Sequence, residues 1–356
     1  MKNMTAFIAT MTLLGASAHA QVSNESPKPV TVPVTVPVTV PVTVDNFIRA
    51  ESDRYFGSVA SRNGFGKLQF TRALAPISRQ TVIRMNRDTL YGAGVFDLDA
   101  GPVTVTLPDT GGRYMSMQVV SQDHYTLPTF RAPGTHTITR EQVGTRYAIV
   151  GIRVLVDAND AEDIRKGNAL QDAVQVSQKA PGTYDAVSWD AESQKRIRDA
   201  LLVLGSAIPD SHRMFGGRAA QLDPVRHLIG SATLWGGLPE QEALYLNFMP
   251  PINDGKAVYR LDVGDVPADG FWSISVYNAK GYFEPNARNA YAISNITAKK
   301  SPEGRVVVQF GGCADDTPNC LPTTDGWNYT VRLYRPRAEA ITGAWTLPKP
   351  QLLGSP

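Results

Sequence analysis

The chain has 356 residues, which is enough for two domains, and 42% of them are hydrophobic, which is enough to fill a core in each. Positive and negative charges almost balance, with 35 Lys and Arg against 33 Asp and Glu, and the sequence contains no basic run. These features predict no nucleic-acid partner, because binding to a phosphate backbone requires a clustered basic surface.

The first twenty residues have the features of a secretory signal peptide. Lys2 supplies a short positive region, residues 6–16 form an apolar stretch, and Ala18-His19-Ala20 is a small-x-small cleavage site. The stretch is too short, and too often interrupted by Thr, to span a bilayer. We expect cleavage near Ala20 and a periplasmic or secreted protein with no transmembrane segment in the mature chain. An N-terminal core helix is the alternative.

A repeat follows the predicted signal peptide. The tetrapeptide Val30-Thr31-Val32-Pro33 recurs at residues 34–37 and 38–41. Proline at every fourth position removes backbone donors and fixes φ, so a paired central strand is disfavoured. Residues 21–44 are therefore predicted to be a disordered or extended spacer. A stalk that attaches the protein to a wall or a partner is the functional alternative.

A helix and then a β-sandwich are predicted after the spacer. Asp45 is placed to cap a helix that continues to Ser61, because apolar residues recur there near the helical period. Strand patterns separated by turn signals follow, and they cover residues 103–107, 114–120 and 147–156. Short strands at this spacing are typical of an antiparallel sandwich, so residues 45–158 are predicted to form an N-terminal helix and a β-sandwich.

The rest of the chain is predicted to be helical first and then β again. Helical patterns cover residues 160–178, 191–208 and 222–234, and the last opens with Asp223-Pro224. Strand patterns cover residues 259–263, 271–277, 305–310 and 329–334. We therefore predict a helical linker at 159–250 and a second sandwich at 251–356. The fold class is mainly β with helical insertions.

The two cysteines, Cys313 and Cys320, enclose a polar loop rich in turn residues. In an oxidising compartment this spacing favours a disulfide. Zinc is disfavoured, because only two thiols are present, no His lies nearby and the spacing is wide. The sequence also lacks a Gly-x-Ser-x-Gly elbow, a phosphate-binding loop with Lys and a His-Glu-x-x-His motif. We predict neither a bound metal nor a cofactor.

The first polar cluster lies between two apolar segments and contains Asn86, Arg87, Asp88 and Tyr91. If Asp88 is buried beside a cation it stays charged, whereas burial without a cation raises its pKa and makes it an acid or base. The alternative is a turn in which Asn86 and Asp88 bond local backbone groups.

The second cluster follows Arg113 on a predicted strand. Tyr114, Ser116 and Gln118 share one face of that strand, because successive side chains alternate. This polar row contacts either a ligand or solvent. His124 comes after it and invites a general-base role, although the adjacent Asp123 points away on a strand and orients it poorly. A structural role for His124 is the alternative.

The third cluster spans residues 282–291 and contains Asn286, Asn289 and Tyr291. Asparagines tolerate left-handed backbone and stabilise turns, and binding loops have the same composition. Both a structural loop and a ligand contact remain open.

These clusters carry a resemblance to a bacterial exported two-domain family of unknown function. The N-terminal domain of that family, numbered 1254, is resembled by residues 86–91, Asp97-Leu98, Gly101-Pro102-Val103 and Gly112-Arg113-Tyr114. Its interdomain segment is resembled by Trp235-Gly236-Gly237-Leu238-Pro239 and Ala243-Leu244-Tyr245. Its partner domain, numbered 1214, is resembled by residues 271–278, 286–293, Trp327-Asn328 and 332–336.

The resemblance covers residues 45–350 and keeps the domain order. It implies an immunoglobulin-like β-sandwich first, a helical linker next and a jelly-roll-like β-sandwich last. It implies no activity, because the family has none generally assigned. The chain departs from the pattern in three places: the Cys313–Cys320 loop, the repeat spacer, and Asn278, which stands where Asp is expected.

Two functions compete at this point. The first is an exported hydrolase or lyase that acts on a small organic molecule in a pocket between the sandwiches. Asp88 is then the acid or base, Arg113 binds an anion or oxyanion, and Tyr91 donates a proton or forms a pocket wall. The substrate contacts are predicted to be Asn86, Gln118, His124, Asn286, Asn289 and Tyr291. The second is a non-catalytic module that binds a carbohydrate, lipid or protein partner through its sandwich surfaces.

Overall fold

The structure is a computed structural model that describes residues 39–80 and 83–354. The predicted signal peptide and residues 21–38 of the predicted spacer lie outside the described residues. The last spacer residues pack on the rest of the chain: Val40 forms a bridge with Trp189, and Val42 is buried with its backbone N–H bonded to Ser193 Oγ at 2.9 Å. Among the described residues, no helix is long and apolar enough to cross a membrane.

The first half of the chain supplies two antiparallel sheets. Its strands are β1 (Gln69–Phe70), β2 (Thr89–Asp97), β3 (Val103–Leu107), β4 (Met115–Ser121), β5 (Gly134–Ile138), β6 (Tyr147–Leu155) and β7 (Gln175–Gln178). One sheet has the order β1-β2-β6-β4 and the other has the order β5-β3-β7. They stack on a shared apolar core that includes Val105, Met117 and Ile152, each fully buried. This is the first sandwich.

Within residues 39–80 and 83–354, six α-helices accompany the strands. They are α1 (Phe47–Val59), α2 (Arg140–Val143), α3 (Ala161–Asp172), α4 (Ala191–Gly205), α5 (Pro224–Thr233) and α6 (Ala338–Ile341). Side chains of Asp160, Asp190 and Asp223 cap α3, α4 and α5 by accepting backbone N–H bonds in the first turn. Pro224 occupies the first turn of α5, where its missing N–H costs nothing.

Two local predictions were wrong. Asn46, rather than Asp45, precedes the first helix, and its side chain accepts from the backbone N–H of Thr43 instead of capping. The predicted helix at residues 160–178 ends at Asp172, and Gln175–Gln178 pairs with β3. The alternating residues after Asp172 complete the edge of the second sheet, and that pairing overrides the helical pattern.

The second half of the chain supplies the other two sheets. Its strands are β8 (Ala243–Phe248), β9 (Val258–Val263), β10 (Ala268–Tyr277), β11 (Ala292–Ser294), β12 (Val306–Phe310), β13 (Cys320–Leu321), β14 (Asn328–Pro336) and β15 (Gln351–Gly354). One sheet has the order β11-β10-β14-β8 and the other has the order β13-β12-β9-β15. Their core includes Ile274, Val308 and Trp327, all fully buried. This is the second sandwich, and the fold is mainly β as the sequence predicts.

Cys313 and Cys320 form the expected disulfide, with an S–S distance of 2.07 Å. The disulfide closes the loop after β12. Cys320 is the first residue of β13, which runs parallel to β12. The disulfide therefore belongs to the outer sheet of the second sandwich. The core of the second sandwich separates the disulfide from the sheet formed by β11, β10, β14 and β8.

Candidate functional site

The two sandwiches meet through polar strand faces. In the first sandwich this face belongs to β2, β6 and β4, where Arg153 pairs with Tyr91 on one side and Ser116 on the other. In the second it belongs to β10, β14 and β8, where Arg332 pairs with Ser273 and Tyr245. Edge-to-face contacts between aromatic rings join the two faces: the centre of the Tyr114 ring lies 5.0 Å from that of Phe271 and 5.5 Å from that of Tyr334.

This arrangement decides between two alternatives for the polar row on β4. Ser116 is fully buried and Gln118 is 3% exposed, so the row contacts the rest of the protein and not solvent. The apolar residues of the opposite face of β4 fill the core of the first sandwich. Both faces of β4 are thus buried. In a two-layer sandwich the outer face of a strand is exposed unless a further layer covers it, and here the second sandwich covers it.

Asp88 connects the sandwiches directly. It precedes β2, is 5% exposed, and accepts a hydrogen bond from Ser273 Oγ at 2.5 Å. Asn86 holds it in place, since Asn86 Oδ1 accepts from the Asp88 backbone N–H at 2.6 Å and Nδ2 donates to Tyr334 OH at 2.7 Å. Burial raises the pKa of the Asp88 carboxyl, against the opposing influence of Arg332, Ser273 and Arg87.

Arg332 is the buried guanidinium of the second sandwich and is 3% exposed. Its Nη1 donates to Ser275 Oγ at 2.9 Å. Its Nη2 donates to the carbonyl of Arg84 at 2.7 Å and to Tyr277 OH at 2.8 Å. Tyr277 OH in turn donates to the carbonyl of Met85 at 2.8 Å. These bonds fix the segment before Asn86 against β10 and β14.

Arg153 is the corresponding guanidinium of the first sandwich. Its Nη1 donates to Gln118 Oε1 at 2.7 Å, its Nη2 donates to the carbonyl of Gly236 at 3.1 Å, and its Cζ lies 5.6 Å from the centre of the Tyr91 ring. We define the interface layer as the polar side chains of the two facing sheets around it: Tyr91, Tyr114, Ser116, Arg153, Tyr245 and Tyr334.

Three phenols of the interface layer, those of Tyr114, Tyr245 and Tyr334, are protonated at neutral pH. Burial raises the pKa of Tyr114 to about 12, despite the neighbouring Ser116 hydroxyl and Arg153. Burial also raises the pKa of Tyr245, and it raises the pKa of Tyr334 well above its ordinary value. The layer therefore presents neutral O–H donors beside a guanidinium that is always charged.

A cleft of about 530 Å³ opens between the helical segment and the second sandwich. Its polar lining includes Arg84, Arg332, Tyr245, Asn247 and Thr330. Its apolar lining includes Leu202, Ile208, Met214 and Leu234. This volume lies within the usual range of small-molecule sites, which combine mostly apolar walls with a few polar groups.

Neither guanidinium in this cleft forms an ion pair with a carboxylate of the described residues, and the charge of Asp88 acts on Arg332 only from beyond 4.0 Å. In the part of the chain that the structure describes, no carboxylate oxygen lies within 4.0 Å of Arg84 or Arg332. Arg84 Nε is buried without a hydrogen-bond partner, and its Nη2 makes one long bond of 3.4 Å to Asn328 Oδ1. Burial, together with repulsion from Arg332, lowers the pKa of Arg84. Asp210 also lines the cleft, but it forms an ion pair with Arg226.

A second and much smaller recess adjoins Asp88. Its volume is about 20 Å³, which is close to the size of one water molecule, and its lining includes Arg87, Asn289 and Tyr291. The Arg87 Cζ lies 5.4 Å from the centre of the Tyr291 ring. Asn289 has a left-handed backbone with φ of 51°, a conformation that asparagine tolerates. The structure thus brings Asp88, Asn289 and Tyr291 of the predicted site together.

Other predicted site residues lie elsewhere. Arg113 is outside the cleft and the interface layer, where Nη1 donates to Asp163 Oδ2 at 2.8 Å and to the carbonyl of Leu155 at 2.7 Å. Asn286 bonds its own loop, since Oδ1 accepts from the backbone N–H of Ala290 at 3.1 Å. Gln118 positions Arg153 and also donates to the carbonyl of Gly237 at 3.1 Å.

His124 lies in a group that we call the His124 clasp, formed with Ser231, Trp235 and Gly236. His124 Nε2 accepts from the backbone N–H of Gly236 at 2.9 Å, so its Nδ1 carries the proton and donates to Ser231 Oγ at 2.8 Å. Ser231 Oγ donates to the carbonyl of His227 at 2.9 Å. The His124 and Trp235 rings stack at 5.2 Å. Burial and the neighbouring His227 hold the pKa of His124 well below its usual range.

Sequence patterns did not single out as site residues the side chains that dominate the cleft and the interface layer, namely Arg84, Arg153, Tyr245, Arg332 and Tyr334. A signal for two of them was available. Alternation within β14 places Arg332 and Tyr334 on the face opposite Val331 and Leu333, which are core residues. Within residues 39–80 and 83–354, no group of three His, Cys, Asp or Glu side chains is placed to hold a metal ion.

The comparisons with known proteins agree with this architecture. Residues 65–151 match the family described as a protein of unknown function, DUF1254, and residues 251–338 match the family described as a protein of unknown function, DUF1214. The chain therefore carries a DUF1254 match followed by a DUF1214 match, which confirms the predicted order. No curated protein matches the chain.

Two solved structures match the chain. The VPA0106 protein from Vibrio parahaemolyticus is 17% identical, with a TM-score of 0.66, and the match covers 87% of this chain and 98% of that chain. A putative uncharacterized protein from Burkholderia cenocepacia is 11% identical, with a TM-score of 0.48 and 86% coverage of both chains. The first likeness supports the shared fold alone.

Proposed function

We propose that this protein is exported to the periplasm or the exterior and binds a small organic anion in the cleft of about 530 Å³. The observation that carries the proposal is the pair of cleft guanidiniums, Arg84 and Arg332, without a carboxylate within 4.0 Å among the described residues. Two positive charges close together repel, and an anionic ligand between them removes that repulsion and supplies acceptors. The N-terminal sequence and the Cys313–Cys320 disulfide support export.

The lining of the cleft indicates what the rest of the ligand is like. Arg332 lies on β14 of the second sandwich and Arg84 lies on the segment before β2 that packs against it, while Leu202, Ile208 and Met214 come from the opposing helical segment. A ligand that satisfies both surfaces has an anionic head and an apolar body. We therefore place it among monocarboxylates with an aliphatic or aromatic tail, whose burial contributes about 0.8 kcal/mol for each methylene.

Calorimetric titration with two matched probes tests the proposal. Octanoate and octylammonium share a tail and differ in the sign of the head group, so we expect binding of octanoate and none of octylammonium. The variant Arg84→Gln removes a guanidinium with few bonds of its own and is expected to weaken octanoate binding about tenfold or more. Arg140→Gln is the control, because Arg140 is exposed and pairs with Asp99 far from the cleft lining.

Three results would overturn the proposal. Equal binding of the two probes would show that the cleft does not select anions. Equal weakening in Arg84→Gln and Arg140→Gln would place the anion outside the cleft. A lack of binding across a set of aliphatic and aromatic carboxylates would exclude the proposed ligand class.

A hydrolase or lyase is the second candidate, and the observation in its favour is Asp88. A buried carboxyl with a raised pKa, bonded to Ser273, is suited to donate or accept a proton. Its recess holds about one water molecule, so a substrate requires the loop with Asn289 and Tyr291 to move. Metabolite profiling with purified protein tests this candidate, and turnover that persists in Asp88→Asn would exclude Asp88 as the catalytic group.

A further inference from the structure

The interface layer contains more hydrogen-bond donors than acceptors. Arg153 has five N–H groups, and its hydrogen bonds go to Gln118 Oε1 and the Gly236 carbonyl. Tyr334 OH accepts from Asn86 Nδ2, so the proton of this phenol remains for a further bond. Donors thus outnumber acceptors on both sides of the layer.

Unpartnered hydroxyls add to this excess. Tyr114 OH and Ser116 Oγ are both buried, and neither makes a hydrogen bond of normal geometry in the described structure. Thr89 Oγ1, on the same strand as Tyr91, is also buried without a partner. A buried hydroxyl without a partner costs about 1–3 kcal/mol, and native proteins satisfy such groups with protein, water or a ligand.

The charge of Arg153 also indicates that the interface layer lacks an acceptor. Within the described residues, no carboxylate oxygen lies within 4.0 Å of the Arg153 guanidinium. The surrounding phenols are neutral, because burial raises the pKa of Tyr114 and Tyr334. In the described structure, the guanidinium contacts only neutral groups that compensate its charge, namely Gln118 Oε1, the Gly236 carbonyl and the face of the Tyr91 ring. A half-buried guanidinium among neutral donors lacks a counter-charge. A negatively charged acceptor would supply it.

We propose that the interface layer binds a small monovalent anion, either a halide or the carboxylate of an organic acid, between Arg153 and the hydroxyls of Ser116, Tyr114 and Tyr334. The strand register supports the placement. Arg153 pairs directly with Ser116 across β6 and β4, so both side chains extend from the same face as neighbours. The partial exposure of Arg153 and Tyr91 gives the anion a route from solvent.

This site is separate from the cleft proposed above. Arg84 and Arg332 bind the cleft ligand, whereas Arg153 belongs to the first sandwich and does not line the cleft. The two proposals therefore fail independently. An anion at Arg153 also bridges the sandwiches, because Tyr334 comes from β14 and Arg153 from β6.

Bromide in crystals tests the proposal directly. Crystals grown without halide are soaked in sodium bromide, and the anomalous signal of bromine marks its position. We expect a peak within about 3.5 Å of the Arg153 guanidinium and the Ser116 hydroxyl. Competition with sodium acetate separates the two sources: loss of the peak identifies a carboxylate site, and its persistence identifies a halide site. Bromide bound only at surface cations would overturn the proposal.

Variants give a second test in solution. Arg153→Gln is expected to abolish the rise in melting temperature that bromide produces, whereas Arg140→Gln keeps it. Because loss of Arg153 also removes two structural bonds, Ser116→Ala is the companion variant. It deletes one unpartnered hydroxyl, so we expect folding without loss of stability and bromide affinity lowered about fivefold. Unchanged bromide affinity in Ser116→Ala would contradict the assignment of this hydroxyl as a ligand.

Discussion

The His124 clasp and the interface layer are both buried and polar, and both involve β4 or the turn that follows it. In the clasp every functional group is matched: His124 accepts from Gly236 and donates to Ser231, and Ser231 donates to His227. In the layer, Tyr114 OH and Ser116 Oγ adjoin each other, and neither makes a hydrogen bond of normal geometry. Completeness of hydrogen bonding, more than burial or residue type, therefore separates a structural polar cluster from one that awaits a ligand.

The largest predicted effect concerns Gly237, the residue that follows Gly236 of the His124 clasp. A Cβ at Gly237 would lie 2.2 Å from Cε2 of the Phe215 ring and within 2.7 Å of two more of its atoms. Gly237→Ala is therefore expected to lower the free energy of unfolding by about 3 kcal/mol in urea denaturation. Gly151→Ala is the control, because a Cβ there has no neighbour closer than 4.0 Å. Equal stability of the two variants would contradict the close packing.

The next effect concerns the protonation of His124. Its folded pKa is depressed below that of the unfolded chain, so the neutral form stabilises the fold above about pH 6.5. This stability is lost as the pH falls, with a slope of at most about 1.4 kcal/mol per pH unit for each such group. His124→Asn is expected to cost about 2 kcal/mol at pH 8 and to flatten the pH dependence between 8 and 5. Parallel pH profiles for variant and wild type would refute this account.

Arg113→Met tests whether Arg113 has a structural or a ligand-binding role. The guanidinium pairs with Asp163 and depresses the pKa of that carboxyl, so it contributes stability above about pH 4 that is lost at lower pH. Both side chains are partly exposed, and the expected loss is about 1 kcal/mol at pH 7. Octanoate and bromide binding should be unchanged. Loss of octanoate or bromide binding in this variant would contradict the structural role and indicate that Arg113 contributes to a binding site.

The smallest effect concerns Asp88. Its folded pKa is raised, so the protonated carboxyl stabilises the fold below about pH 4, and this contribution is lost as the pH rises through the raised pKa. Asn retains an oxygen for Ser273, so Asp88→Asn is expected to change stability by less than about 1 kcal/mol at pH 4. Relative to wild type, the variant should gain stability toward pH 8. A constant difference between pH 4 and pH 8 would show that Asp88 does not titrate in this way.

Local signals explain which parts of the fold were predictable from the sequence. Asp160 and Asp223-Pro224 mark helix starts through bonds within one turn, and both starts were predicted. The strand at Gln175–Gln178 exists because β3 pairs with it, and that partner is about seventy residues away. A helical pattern could not reveal this pairing.

The site was less predictable for the same reason. Asp88 and Tyr291 were selected by composition, and the structure places both at one recess. The arginines at the cleft and the interface layer were missed because their meaning depends on the absence of a nearby carboxylate, which only the tertiary arrangement reveals. His124 shows the converse, since its polar character serves a complete local network.

The most direct test of the central claim is a crystal structure of the protein with octanoate. We expect the carboxylate between the guanidiniums of Arg84 and Arg332, with the tail along Leu202 and Met214. Well-ordered octanoate elsewhere, with the cleft free of ligand and both guanidiniums in their present positions, would contradict it.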